Sequence, residues 1–400
     1  MPKPNDILPA MFDFVTAGES HGKSLVAVIS GLPLGLEVDF DSINRDLRRR
    51  QSGYGRGGRM KIESDHIEVV SGVRFGKTIG SPVAVMIHNR DWANWQESMS
   101  IESKEIPEEK IKKVTKPRPG HADLAGALKY NTKDIRNILE RSSARETTVR
   151  VAVGGFAKVL LRHFGIEIAS HTVSVGEVTL PDERKYQFED LLAIRDNTEM
   201  RCIDSALEQR MIDAVKAAHL SGDTIGGAFE VIAHGVCPGL GSHTAWDRKI
   251  DGWLAQAIMS INAVKAVAVG AGQRGSQMLG SHLHDEIFYT REPGGFYRGS
   301  NNAGGIEGGM SNGCDILIRG YIKPIPTLRK PLKSVDILSK EAFDAAYERS
   351  DTCVVPAAGV IGEAMVAIIL ARAFLEKFGG DSLTETNRNF QGYLNQLANF

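Results

Sequence analysis

Short apolar runs behind glycine turns set the pattern of this chain. Phe12–Thr16 reads as a strand, the turn AGESHGKS follows, and LVAVIS reads as a second strand. The same order recurs at Thr78-Ile79-Gly80-Ser81 before PVAVMI, at Thr224-Ile225-Gly226-Gly227 before AFEVI, and at Ser311-Asn312-Gly313-Cys314 before DILIR. Apolar runs of this length bounded by glycine predict strands. Two longer segments follow a helical period. From about Ala144 to Phe164, Val149, Val153, Phe156, Leu160 and His163 or Phe164 recur on one face, which predicts an amphipathic core helix. From about Pro356 to Phe378 the sequence is apolar nearly all round, which predicts a helix buried centrally. Asp41 and Ser42 are placed to cap a further helix with Ile43 and Leu47 on one face, and MKIESDHIEVVSGV reads as a hairpin. Between Asp91 and Lys116 the chain turns charged and irregular, which predicts a long surface excursion.

A duplication is visible in these elements. Glu140-Arg141-Ser142-Ser143 leads into a helix that ends at His163-Phe164-Gly165, and Glu348-Arg349-Ser350-Asp351 leads into one that ends at Lys377-Phe378-Gly379. Repeated strand-and-helix units would place the two Arg-Ser turns equivalently. Glycine turns ahead of apolar strands also arise by chance, and at this level both readings stand.

Composition narrows the class. Four hundred residues with 42% apolar content can bury a large core, in one large domain or two or three smaller ones. Cys202, Cys237, Cys314 and Cys353 lie far apart with no C-x-x-C pair, which argues against a zinc site or a disulfide scaffold and suits a reducing compartment. No run approaches the roughly 20 apolar residues of a membrane span and the N-terminus carries no leader pattern, so a soluble intracellular protein is expected. The 42 glycines point to tight turns and close backbone approaches rather than a helical bundle.

Charge changes the picture locally. The whole chain carries a formal net charge of -1, yet Arg45, Arg48, Arg49, Arg50, Arg56, Arg59 and Lys61 crowd a stretch whose one acid is Asp46. Guanidinium forks suit carboxylates and phosphates, and glycine lets backbone N–H groups approach the same anion. An anionic ligand is the first reading; a solvated helix end is the plain one, and an RGG-type RNA-binding loop is a third. Against the last, only Tyr54 offers a stacking face and the pI is near 6.8. The loop is expected to be mobile between Gly53 and Arg59 until an anion arrives.

Other motifs are weaker. Gly18 to Gly22 is one residue short of a phosphate-binding loop, so Lys23-Ser24 does not complete it. Gly270, Gly272 and Gly275 fit G-x-G-x-x-G, but no βαβ frame surrounds them, which leaves a nicotinamide oxidoreductase as a minor alternative. His282 and His284 lack an evident third metal ligand. In KPRPGHADL, prolines would present Arg118 and His121 rigidly, either as a piece of a site or as a stiff connector. Asp351 stands close enough in sequence to Arg349 to pair with it, and equally could be a plain N-cap.

Taken together, TAGESHGKSL, LRRRQSGYGRGGRMKIESD, KPRPGHADLAGALKY, ILERSSARETTVRVAVGG, SINAVKA, GGIEGGMSNG, RGYIKPIPTL and ERSDTCVVPAAGVIGEA resemble the chorismate synthase family over nearly the whole chain. The resemblance implies an α/β sandwich in a single domain over 1–400, with antiparallel sheets enclosing a central helical layer and with internal pseudo-symmetry. It implies anti-1,4-elimination of phosphate from 5-enolpyruvylshikimate 3-phosphate to give chorismate, with reduced FMN and no net redox change. By the same resemblance His21 protonates the leaving phosphate, His121 lies beside the reduced flavin, and Asp351 removes the ring proton. Arg50, Arg56, Arg59, Arg118, Arg145 and Arg349 match arginines of the substrate pocket. Arg141, Ser142, Ser143, Asn262, Ala263, Gly308, Lys323, Pro324, Ile325, Pro326, Thr327 and Arg349 match flavin-contacting positions. A cytoplasmic homotetramer is implied, and NADPH is called for only if flavin reduction is intrinsic to the chain.

Overall fold

The computed structural model describes residues 12–57, 64–103, 105–181, 186–291, 295–345 and 351–400. Strands β1 (Asp13–Ala17), β2 (Ser24–Ser30), β3 (Glu68–Ser71) and β4 (Val83–His88) form one sheet in the order β1-β2-β4-β3. Strands β5 (Glu167–Val175), β6 (Gly227–His234), β7 (Val264–Val269) and β8 (Ile316–Ile322) form a second in the order β5-β6-β8-β7, with a two-residue strand, Val178–Thr179, outside β5. All of these pairings are antiparallel. Adding four to each strand number turns the first order into the second. The helices repeat likewise: α1 (Phe40–Gln51) lies between β2 and β3 as α3 (Ile250–Met259) lies between β6 and β7, and α2 (Thr147–His163) follows β4 as α4 (Val355–Phe378) follows β8. The duplication suggested by the glycine turns is therefore a property of the topology.

The four helices form the layer between the sheets, with α2 packed on α1, α4 and β2, and α4 packed on α3, β5 and β6. Strand alternation feeds this layer: Val83, Val85 and Ile87 of β4 are fully buried while His88 faces out. Helix α2 is buried on nearly all sides rather than on the single face its period predicts, because helices flank it within the layer. Its paired glycines permit this. A Cβ at Gly154 would stand 2.3 Å from Ala364 Cβ of α4, and one at Gly155 would stand 2.8 Å from Ile43 Cγ1 of α1. Glycine inside a helix costs about 1 kcal/mol against alanine, and close packing offsets it. Gly154→Ala is accordingly expected to destabilise by about 1–3 kcal/mol through overpacking, read in a urea melt; a gain in stability would overturn this account of the α2–α4 contact.

Three sequence expectations are corrected. Asp39, not Asp41 or Ser42, caps α1: its Oδ1 accepts from Ser42 N at 3.0 Å. The segment read as a hairpin supplies β3, which pairs with β4; its first residues, 60–63, lie outside the described ones. Val355–Phe378 is long and apolar enough to cross a membrane by length and composition, contrary to the sequence reading, but 89% of its most apolar window is buried between the sheets.

Helix geometry also divides the arginine run. Successive helical residues point about 100° apart, so Arg48 is exposed, Arg49 turns into the helical layer and Arg50 turns toward a cavity. Arg49 Nη2 meets Glu363 Oε1 at 2.7 Å, Lys158 Nζ meets Glu363 Oε2 at 2.5 Å, and both cations also meet Asp46. Ser170 Oγ donates to Glu363 Oε1 at 2.7 Å. One buried ionic cluster thus ties α1, α2, α4 and β5 together.

Candidate active site

A cavity of about 510 Å³ opens where the N-terminal ends of α2 and α4 converge. Its floor is apolar, from Ala357, Ala358 and Ile361 of α4 with Leu139 and Ile261 beside them. Its walls carry His21, Arg50, Arg56, Arg118, His121, Ser142, Ser143, Arg145, Asn262, Ala263, Lys323, Ile325, Pro326, Thr327 and Asp351, so most of the residues singled out in the sequence meet in one place.

Each histidine is held by a carboxylate. His21 Nδ1 lies 2.9 Å from Glu140 Oε1, and His21 N donates to Glu140 Oε2 at 2.8 Å. Burial works against the Glu140 charge, but His21 and Arg136 outweigh it and hold the carboxyl below its usual range. With Nδ1–H given to this anion, Nε2 is the ring nitrogen left for proton transfer. His121 Nδ1 pairs with Asp123 Oδ1, and Arg118 Nε donates to Asp123 Oδ2 at 2.9 Å. Burial of Asp123 is likewise overcome by His121 and Arg118, so its carboxyl titrates far below the ordinary range.

The cations are only partly neutralised. Arg145 donates to Asp65 Oδ1 at 2.6 Å and to Asn89 Oδ1 at 2.9 Å. Arg50, 3% exposed, donates to Thr147 Oγ1 and Ala144 O, while its Nη1 stands 3.7 Å from Asp65 and has no hydrogen-bond partner. Burial pushes the Arg50 pKa down to about 9; Asp65 opposes this, and Arg56 and Arg145 add to it. The guanidinium still carries its charge at neutral pH, and an entering anion would relieve the repulsion. Lys323 Nζ spends its charge on a carbonyl, Gly120 O, at 2.6 Å.

Asp351 accepts from Arg56 Nη1 at 2.6 Å and from Gly57 N at 2.5 Å. It is no N-cap, since α4 begins after Val354 without a side-chain cap. Arg59 and Arg349, including the suggested Arg349–Asp351 pair, lie outside the described residues. The loop expected to be mobile is tied down in its first half: Tyr54 N donates to Glu199 O at 3.0 Å and Gly55 O accepts from Thr352 N at 2.7 Å.

Some positions are not brought to the cavity. Arg141 braces β1 instead, donating to Gly18 O, Thr16 O and Thr16 Oγ1, because its side chain leaves the short helix Arg136–Ser142 on a different face from Ser142. Gly308 sits in the tight turn between Ile306–Glu307 and Met310–Ser311, with φ +59°. Pro324 is skipped between Lys323 and Ile325. The G-x-G-x-x-G run opens only a four-residue helix, Gly272–Gly275, beside a separate cavity of about 480 Å³, with no dinucleotide frame.

Sequence reasoning missed Glu140, Asp123, Asp65, Trp95 and Lys265. The first two lie within two residues of singled-out positions, and Asp65 ends the stretch quoted after the arginine loop. Trp95, stacked on His21, comes from the segment read as a surface excursion. Lys265 lines the cavity because a register shift between Val264 and Ala266 falls on it in β7, and such bulges re-aim side chains.

The apolar floor, the two serine hydroxyls and the lysines at the rim form a donor set that suits a flat ring system carrying an anionic tail, and the buried Arg50 Nη1, though 3.7 Å from Asp65, has no hydrogen-bond partner, a role such an anion would fill. Comparison with known proteins agrees. The sequence model of the chorismate synthase family matches residues 12–375. The chain is 58% identical over 392 residues to the chorismate synthase of Solibacter usitatus and 57% identical over 396 residues to that of Koribacter versatilis, in each case across 98% of this chain and 100% of the relative. A crystal structure of a chorismate synthase superposes with a TM-score of 0.78 at 41% identity, covering 97% of this chain and 99% of the other. The cavity and these likenesses have one common reading: the chain belongs to the chorismate synthase family.

Proposed function

We propose that the chain is a lyase that converts 5-enolpyruvylshikimate 3-phosphate into chorismate by anti-1,4-elimination of phosphate, with reduced FMN bound in the cavity. The observation that carries this reading is the meeting, over one apolar floor, of two carboxylate-held histidines, a carboxylate and an excess of cations. When bound, reduced FMN supplies electron density to the substrate. Ser142, Ser143, Asn262, Ala263, Lys323 and Ile325 to Thr327 would hold it, with His121 beside it. Arg50, Arg56, Arg118 and Arg145 bind and orient the substrate's carboxylates and phosphate. His21, with Nδ1 committed to Glu140, delivers a proton from Nε2 to the departing phosphate. Asp351 receives the ring proton, and Arg56 with Gly57 N holds its carboxylate in place.

The RNA-docking alternative is not favoured, because Arg49 and Arg50 are 4% and 3% exposed and give no binding surface. A single domain is supported by one core cluster that draws on both sheets and all four inner helices. Four cysteines without a disulfide suit the cytoplasm. A homotetramer suits the outer face of the first sheet, where Val15, Val28 and Val70 are exposed, and light scattering on the eluting protein checks it. Purified protein with reduced FMN and the enolpyruvyl substrate, without oxygen, is expected to release phosphate and form chorismate in equal amounts; no product would overturn the proposal. Turnover in air with NADPH and oxidised FMN would assign intrinsic flavin reduction.

A further inference from the structure

We infer that Trp95 is a positioning residue for His21, which makes the irregular stretch around it an outer wall of the proton-donor site. The inference rests on the role given to His21 above. The two rings stack with centroids 3.9 Å apart and planes inclined by 25°. On the Trp95 ring also sit Arg136, with Cζ 4.8 Å from the centroid, and Lys112, with Nζ at 3.8 Å. Arg136 Nη1 in turn meets Glu140 Oε1 at 3.0 Å, the same oxygen that lies 2.9 Å from His21 Nδ1. His21, Glu140, Arg136 and Trp95 therefore close a circuit in which each side chain touches the next.

The circuit does what one hydrogen bond does not. An imidazole held only at Nδ1 can still rock about that bond and swing Nε2 away from its target. A ring stacked against one face removes that freedom. Trp95 is itself fixed: its Nε1 donates to Asp91 Oδ2 at 2.9 Å. The segment behind it is tied to the helix that carries Glu140, since Arg136 Nε donates to Lys112 O at 2.7 Å and Ile135 N to Val114 O at 2.8 Å.

The test compares Trp95→Ala, Trp95→Phe and His21→Ala in the complete enzyme with reduced FMN. Trp95→Ala is expected to lower kcat at least about tenfold with little change in KM, and Trp95→Phe, which keeps a stacking ring, to stay within about threefold of the parent. A Trp95→Ala enzyme with unchanged kcat, beside an inactive His21→Ala enzyme, would overturn the role of Trp95 and leave that of His21 standing. Full activity in His21→Ala would instead overturn the reading on which the inference rests. Tryptophan emission gives a second readout without turnover: His21→Ala should alter it, and the alteration should vanish in a Trp95→Phe background. An unaltered spectrum would overturn the stack.

Discussion

Replacing His21 by Ala is expected to lower kcat for phosphate elimination by about 10²- to 10⁴-fold, the range of a lost general acid, while the affinity for reduced FMN changes little. The physical basis is the division of labour between the ring nitrogens. Glu140 is buried and held ionised by His21 and Arg136, so Nδ1 keeps its proton and Nε2 is the nitrogen left to act. Single-turnover phosphate release without oxygen reads the chemical step, and a titration of the flavin reads binding. Equal losses in both would argue that His21 only shapes the pocket. The same comparison applied to Asp351→Ala separates proton removal from the anchoring of Arg56.

Replacing Glu363 by Ala is expected to cost about 3–5 kcal/mol of folding stability, the range for breaking a buried ion pair by removing one partner. Glu363 is fully buried, and its loss leaves Arg49 and Lys158 inside the helical layer sharing Asp46, with Asp196 3.4 Å from Arg49 Nε. Burial raises the Glu363 pKa, but Arg49 and Lys158 outweigh it, so the folded-state value lies well below the unfolded one. The cluster's contribution is therefore complete above the ordinary glutamate pKa of about 4.3 and is lost as pH falls below it. Urea melts of parent and variant near neutrality and in acid measure this: the difference should be large at neutral pH and shrink on acidification. A variant within about 0.5 kcal/mol of the parent at neutral pH would sink the account, since that is the scale of an inert surface change.

Glu363 also shows how much of the fold was legible. Its helix was read as buried from composition alone, and the strands behind glycine turns fell where local patterning put them, because side-chain alternation and helical period are local properties of the chain. One charged residue in an apolar helix gives no local sign of its partners. Those partners, Arg49, Lys158 and Ser170, come from three other elements.

The site divides in the same way. The turns where cations, histidines and glycines collect could be located in the sequence, as could the family and the repeated units. The sequence did not determine which of three consecutive arginines faces the ligand, that Arg141 braces β1 while Ser142 lines the cavity, or that a tryptophan from an irregular stretch stacks on His21. These are settled by helix rotation and by contacts between residues as far apart as His21 and Glu140, 119 positions along the chain. Local patterning specifies which face of an element is buried, but only the packing of the two sheets around their helices decides which side chains meet.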